Sequence, residues 1–395
     1  MLTEEQIEKI LYRYVKRQDE FNMSVITLIT DRLSHIADFD KLSTLDRLSV
    51  MTVDIRKINE EYAKYKKDQD QRIEDDFWEL VFFLYGEALI YYENQIALRQ
   101  NQEIVLATQN LIAEAQESFN NLVNRPVFVL RDLQNPSRLR VYNLEQAYRT
   151  SVNEALTYSN LSDELRDIAL KRTELQLFDS GVRYMRDNTS NDVDDAISAN
   201  SAVRFNMLDN MRNLINRVQT IMGNQFGADG AELSAHIYPA PDHAPAQGHI
   251  FSNENIDKMQ SAENFDDING NSYIGFERQI GTWNCRHYFT KVKISKAQPT
   301  YTQEELDKIL DDNERGYTAP NGRHYTLYEC TQIQRRYERN IRKAKEKYLL
   351  AKSINDKNMM YASRARVGSL TTQYKQFSRA CDIPAKLERI RVKDY

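Results

Sequence analysis

Nine of the 12 glycines in this 395-residue chain lie between Gly223 and Gly322. Five of the 8 prolines fall between Pro239 and Pro320, and five of the 6 histidines between His236 and His324. Glycine admits positive φ and proline interrupts hydrogen-bond ladders, so chain reversals concentrate where the two cluster. The remainder has almost no punctuation and reads as long helices. The distribution predicts a chain that is mainly α with a small α+β domain: a long N-terminal helical region, a compact mixed domain with short antiparallel strands, and a basic C-terminal helix. The expected division is residues 1–125, helical; 126–225, a hairpin plus helices; 226–325, the α+β domain; and 326–395, a basic helix and tail.

Charge is as uneven as punctuation. Residues 331–395 hold 17 Lys+Arg against 6 Asp+Glu, a balance of +11 within a net charge of −5, which leaves −16 for residues 1–330. An acidic body with a basic tail points to two kinds of partner. Hydrophobic residues at 41% exclude wholesale disorder. Three cysteines, Cys285, Cys330 and Cys381, are too few and too odd in number for a disulfide scaffold and suggest a reducing compartment. The start, Met1-Leu2-Thr3-Glu4-Glu5, lacks the basic and apolar regions of a signal peptide.

Local signals place the elements. Thr3 with Gln6 reads as a capping box, followed by Ile7, Ile10, Leu11 and Val15 at helical spacing; Ile55, Ile58, Tyr62 and Tyr65 mark a second helix face. Residues 77–98 are the most apolar segment, but Glu79, Glu87 and Glu93 interrupt it. Charges near the centre of a membrane span cost roughly 2.5–3.5 kcal/mol each, which favours burial in a bundle or oligomer over a membrane-active helix. Residues 125–130 and 139–142 flank Asn135-Pro136-Ser137 as a candidate hairpin, and Asn143 with Gln146 caps the next helix. Residues 161–177 and 203–222 continue the helical pattern, with a polar loop at 187–195. After Gly223, residues 232–237, 249–252, 273–277 and 287–294 have strand-like composition. Thr302 with Glu305 and Thr326 with Glu329 cap two further helices, and Asn321-Gly322 centres a hairpin between them. Cys330, Ile333, Tyr337, Ile341, Ala344 and Tyr348 form one seam of the last helix. Beyond Asn355 the pattern weakens, and the tail is expected to order on meeting a partner.

Two constellations carry chemistry. The first is His236, His243, Gln247, Gly248 and the run Trp283-Asn284-Cys285-Arg286-His287. Imidazole and thiolate are good zinc ligands, so His236, His243, Cys285 and His287 are candidate ligands, with a metal-dependent enzyme as one reading. Their spacing matches no standard zinc finger. The alternative is a polar core that hydrogen-bonds loop backbone, and on this basis no metal or other cofactor is assigned. A Cys285/His287 nucleophilic pair lacks an evident third residue, and no catalytic residue is assigned. The second constellation is Arg335, Arg336, Arg339, Arg342, Lys343, Lys345 and Lys347. These fit a phosphate backbone, an acidic partner, the chain's own acidic body, or simply a solvated face.

The order His-x6-His, Gln-Gly, Trp-Asn-Cys-Arg-His and Gly-Arg-His-Tyr-Thr-Leu-Tyr-Glu, leading into Gln-Arg-Arg-Tyr-Glu-Arg-Asn-Ile-Arg-Lys-Ala-Lys, resembles the tailed-phage minor capsid protein 2 family, itself similar to Mu F-like head morphogenesis proteins. The resemblance covers about residues 140–352. Ala240 and Ala246 stand where that family commonly has Arg and Trp, which argues against a strictly required catalytic or metal geometry. The resemblance implies a structural protein of the virion rather than an enzyme, at the portal vertex or capsid interior, oligomeric in the particle and present in the host cytoplasm during assembly. Its implied partners are the portal protein and other head proteins, with packaged DNA contacted through the basic tail and no membrane. Some relatives end in a toxin domain. The residues after Lys352 are too few for an independent catalytic domain, so none is expected here.

Overall fold

The computed structural model describes residues 4–92, 102–132, 135, 137–158, 163–186, 190–280, 285–353, 355–392 and 395. The Thr3 cap, residues 93–98 of the apolar segment, and Trp283 and Asn284 lie outside them. The protein is 68% helical, with 11 α-helices and short antiparallel sheets among the described residues, as the punctuation predicts.

Four helices open the chain: α1 (Glu4–Ser34), α2 (Ile36–Asp40), α3 (Thr44–Tyr92) and α4 (Gln102–Val123). On α1, Leu11, Tyr14, Phe21, Val25, Ile29 and Leu33 are buried at helical spacing. Each such side chain contributes about 1.5–3 kcal/mol by leaving water. At 1.5 Å per residue, α3 is about 74 Å long. Its Phe77, Leu80, Val81 and Leu84 are buried within the bundle. No helix among the described residues is long and apolar enough to cross a membrane.

The expected hairpin forms from β1 (Pro126–Arg131) and β2 (Leu139–Asn143), with Val129 opposite Val141. Helices α5 (Leu144–Tyr158) and α6 (Asp163–Ser180) follow. The Asn143 and Gln146 side chains each accept from the other's backbone N–H, a reciprocal cap. Strands β3 (Arg183–Met185) and β4 (Ala196–Ser198) complete an antiparallel sheet of order β2-β1-β3-β4. Helix α7 (Ala199–Gln225) packs on α1, α3 and α4. It buries Val203, Met207, Met211, Leu214, Ile215, Val218 and Met222 on its inner side, while Asn213 and Arg217 stay exposed on the other. Inside the bundle, Tyr65 and Tyr184 both donate to the Gln18 amide oxygen, at 2.6 and 2.8 Å, which satisfies polar groups that water cannot reach.

The mixed region has a three-stranded sheet of order β6-β5-β9, built from β5 (Gly230–Leu233), β6 (Ile250–Ser252) and β9 (Phe289–Val292). Helix α8 (Asn253–Gln260) and the pair β7 (Phe265–Asp266) and β8 (Ser272–Tyr273) lie beside it. Phe251, Phe265, Tyr273 and Phe276 pack ring against ring in its core. The strands are shorter than composition suggests. β5 ends at Leu233, where Ser234 exchanges hydrogen bonds with Tyr288 and the chain turns toward Pro239. β8 ends at Tyr273 because Gly275 lies against the Ala262 carbonyl, where a Cβ would come within 2.1 Å.

Helix α9 (Gln303–Arg315) carries the predicted Thr302/Glu305 capping box. The hairpin β10 (Tyr317–Thr318) and β11 (His324–Tyr325) turns through Gly322 at φ +81°. Helix α10 (Leu327–Ser353) begins at the predicted Thr326/Glu329 box. The tail departs from the sequence reading. Residues Lys357–Ala380 form α11, which packs along α10. Asn355, at φ +55°, ends α10 in the left-handed region, and the Asp356 carboxylate caps α11 by accepting from Met359 N. The buried seam of α11 is Ser363, Val367, Leu370, Tyr374 and Ser378. Two of its five positions are serine, so the periodicity is faint in sequence and the packing against α10 decides the helix.

Candidate functional site

The loop 234–249, between β5 and β6, and residues 285–288, which lead into β9, meet beside α7. Gln247 and Gly248 shape the first. The Gln247 side-chain oxygen accepts from His236 N at 2.9 Å. Gly248 sits at φ +75°, a backbone conformation that favours glycine, with a Leu306 methyl 2.4 Å from where a Cβ would lie. Asp242 holds Arg278 through two hydrogen bonds of 2.6 and 2.9 Å, which fixes the Arg278 carbonyl over the His243 ring.

His243, Cys285 and His287 converge with their ligand atoms within 4.8 Å of one another. The Cys285 Sγ lies 3.5 Å from the Nδ1 of each imidazole. His243 Nε2 lies 2.6 Å from the Arg278 carbonyl, which can only accept, so Nε2 carries the proton and Nδ1 presents a lone pair to the sulfur. All three residues are buried. His236 stands outside the trio, its ring edge-on to His287 at 4.6 Å between centroids. Burial pushes the His236 imidazole down to about 4. Burial also lowers His243, and it holds His287 well below the usual histidine range, reinforced by the neighbouring imidazoles. The rings are therefore neutral at pH 7.

Arg286 points the other way, as alternation along an extended segment requires. Its guanidinium reaches Glu8 on α1 at 3.5 Å. Glu8 also meets Arg204 of α7 at 2.5 Å, Arg335 of α10 at 3.0 Å and Arg389 of a 3-10 turn at 3.2 Å. One buried carboxylate thus gathers the N-terminal helix, the central helix, the motif segment and the C-terminal arm. Burial alone would raise its pKa, but Arg204, Arg335, Arg389 and Lys386 outweigh that and hold it at about 2.

The seven basic residues of α10 separate in space. Arg335 turns inward to Glu8, and Arg342 to Asp19 at 3.4 Å. Lys343 pairs with Asp179 at 3.3 Å, and Lys345 donates to the Ile390 carbonyl. Arg336 and Arg339 are exposed, and Lys347 is half-buried. Sequence reasoning missed Glu8, although a carboxylate sharing a helix face with Leu11 and Val15 is the mark of a buried partner. It also missed the outer face of α11, where Lys357, Arg364, Arg366, Lys375 and Arg379 are exposed on a helix without a single acidic residue.

Comparison with curated proteins and with solved structures finds no match in either. A family model described as phage minor capsid protein 2 matches residues 2–378, which takes in the N-terminal helices as well as the motif region and both C-terminal helices. The chain belongs to the phage minor capsid protein 2 family.

Proposed function

We propose that this structural protein of the phage head is seated at the portal vertex or on the capsid interior, as an oligomer, and acts in head assembly or genome delivery. Membership of a minor capsid family across residues 2–378 is the observation that carries the reading. A bundle tied to a C-terminal arm by a buried junction at Glu8 and by further ion pairs at Asp19 and Asp179 suits a part held between other head proteins. Quantitative mass spectrometry of purified particles should find the chain at a small fraction of the shell protein's copy number, cross-linked to the portal protein. Its absence from particles would sink the reading, and cross-links confined to the shell would remove the portal.

A second reading is contact with packaged DNA, favoured by α11 rather than by the α10 cluster. Lys357, Arg364, Lys375 and Arg379 lie along one exposed flank of a helix with no acidic residue, with Arg366 on the other flank, whereas Arg335 and Arg342 of α10 are already engaged by carboxylates. Each phosphate contacted contributes a slope of about −0.9 in log K against log salt on duplex DNA. Replacing Arg364, Lys375 and Arg379 with glutamine should lower the slope by about 2–3 while leaving the fold intact. An unchanged slope would exclude α11 as the contact.

A further inference from the structure

We propose that His243, Cys285 and His287 bind one zinc ion, which pins the loop 234–249 to residues 285–287 ahead of β9. The inference does not depend on where in the particle the protein sits. Zinc bonds of about 2.3 Å to sulfur and 2.0–2.1 Å to nitrogen, at tetrahedral angles, separate a thiolate from an imidazole nitrogen by about 3.6 Å. Both sulfur-to-nitrogen separations here are 3.5 Å. The third edge, between the two imidazole nitrogens, is no more than 4.8 Å against about 3.3 Å at a tetrahedral site, a difference that rotation of one ring closes.

Hydrogen bonds alone account for the cluster poorly. Sγ carries one proton and faces two Nδ1 atoms. The Arg278 carbonyl already commits His243 to presenting a lone pair. If the thiol donates to it, His287 must turn Nδ1–H toward the sulfur, and its Nε2 lone pair is then left buried. That Nε2 has no hydrogen-bond partner among the described residues, and a metal on Nδ1 would leave it an N–H instead, so the weight falls on the convergence of Sγ with the two Nδ1 atoms. A cation takes the thiolate and the lone pairs together. A histidine ligand whose other nitrogen is held by a backbone carbonyl, as His243 is, has the orienting shell that metal sites use.

The donor set and burial choose the metal and its role. Thiolate with imidazole suits zinc over the hard cations that prefer oxygen. Catalytic zinc sites keep an open position for substrate. Here the ligands are buried, and the adjoining cavity, lined in part by His236, Cys285 and His287, is about 30 Å³. A space of that size admits one or two waters, one of which would supply the fourth position, and is too small for a larger substrate. A structural ion is also what this region needs, because its strands are two to four residues long and its core is small. The ligands are separated by 42 residues and come from two loops, which is why no zinc-finger spacing exists.

The full-length chain, produced with zinc in the medium, should contain about one zinc per chain by elemental analysis. Cys285→Ser and His243→Ala should each lower this at least tenfold, and Cys330→Ser, at a buried cysteine elsewhere, should not. Cobalt substituted into the wild-type chain should show a thiolate-to-metal absorption band that Cys285→Ser abolishes. Chelation should lower the wild-type melting temperature and added zinc should restore it, a measurement that needs no variant to fold. A folded wild-type chain that holds no metal and takes up neither zinc nor cobalt overturns the proposal, as does full zinc retention by Cys285→Ser.

Discussion

Glu8→Gln is expected to destabilise the protein by about 3–5 kcal/mol, the usual cost of removing one partner from a buried ion pair. Glutamine keeps the shape and removes the charge. Four guanidiniums, from Arg204, Arg286, Arg335 and Arg389, are then left around a neutral amide, with Glu338 the nearest other carboxylate to Arg389 at 3.8 Å. Chemical denaturation of the variant against the parent measures the loss. Arg335→Met in the Glu8→Gln background should recover part of it, because one of the stranded charges goes too. A loss within about 0.5 kcal/mol would mean that the junction is solvated and carries no more than a surface pair.

The same carboxylate sets an acid limit. Its folded pKa of about 2 lies below the ordinary 4.5. A depressed carboxylate contributes stability that is complete above its unfolded pKa and disappears as pH falls through the folded one. The contribution is therefore full above about pH 4.5 and fades toward pH 2, a total of about 3 kcal/mol. Glu8→Gln should flatten the stability profile over that interval and leave the slope above pH 5 unchanged.

Tyr374→Ala is expected to cost about 3–5 kcal/mol and to act locally, on the C-terminal arm. The ring is fully buried between α10 and α11 with Ile341, Val367 and Leu370. Its hydroxyl donates to Glu338 at 2.9 Å and accepts from Lys386 N at 2.8 Å. Truncation leaves a cavity and also strips a buried carboxylate of a donor. Tyr374→Phe, which loses only the hydroxyl, should cost about 1–3 kcal/mol. Hydrogen exchange should show α11 released in the alanine variant while α1, α3 and α7 stay protected. If residues 357–380 of the parent chain exchange freely, the arm is not docked in solution and the expectation of partner-induced order stands.

The two predictions test the parts of the protein that were hardest to read. Thr302 with Glu305, Thr326 with Glu329, and Asn143 with Gln146 act within a single turn, so their spacing carries the whole interaction. Hairpins at 126–143 and 317–325 are equally local. The crowding of glycine and proline between residues 223 and 322 marked the mixed region for the same reason, since turn geometry belongs to individual residues. Strand ends did not follow composition. They depend on contacts such as Ser234 with Tyr288 and Gly275 with Ala262, which join residues far apart in the chain.

Local pattern alone establishes the class: a mainly helical chain with one turn-rich domain, two reciprocally capped C-terminal elements and a family motif centred on Cys285. It could not determine which charges pair. Arg335 and Arg336 are neighbours in sequence, yet one is bound to Glu8 and the other faces solvent, because a helix turns 100° between them. Nor could it bring His243 to Cys285, or show that a serine-bearing stripe on α11 lies against α10. These are long-range events. Local rules set which elements form, while burial of their faces against one another decides which polar groups lose water and must find a partner.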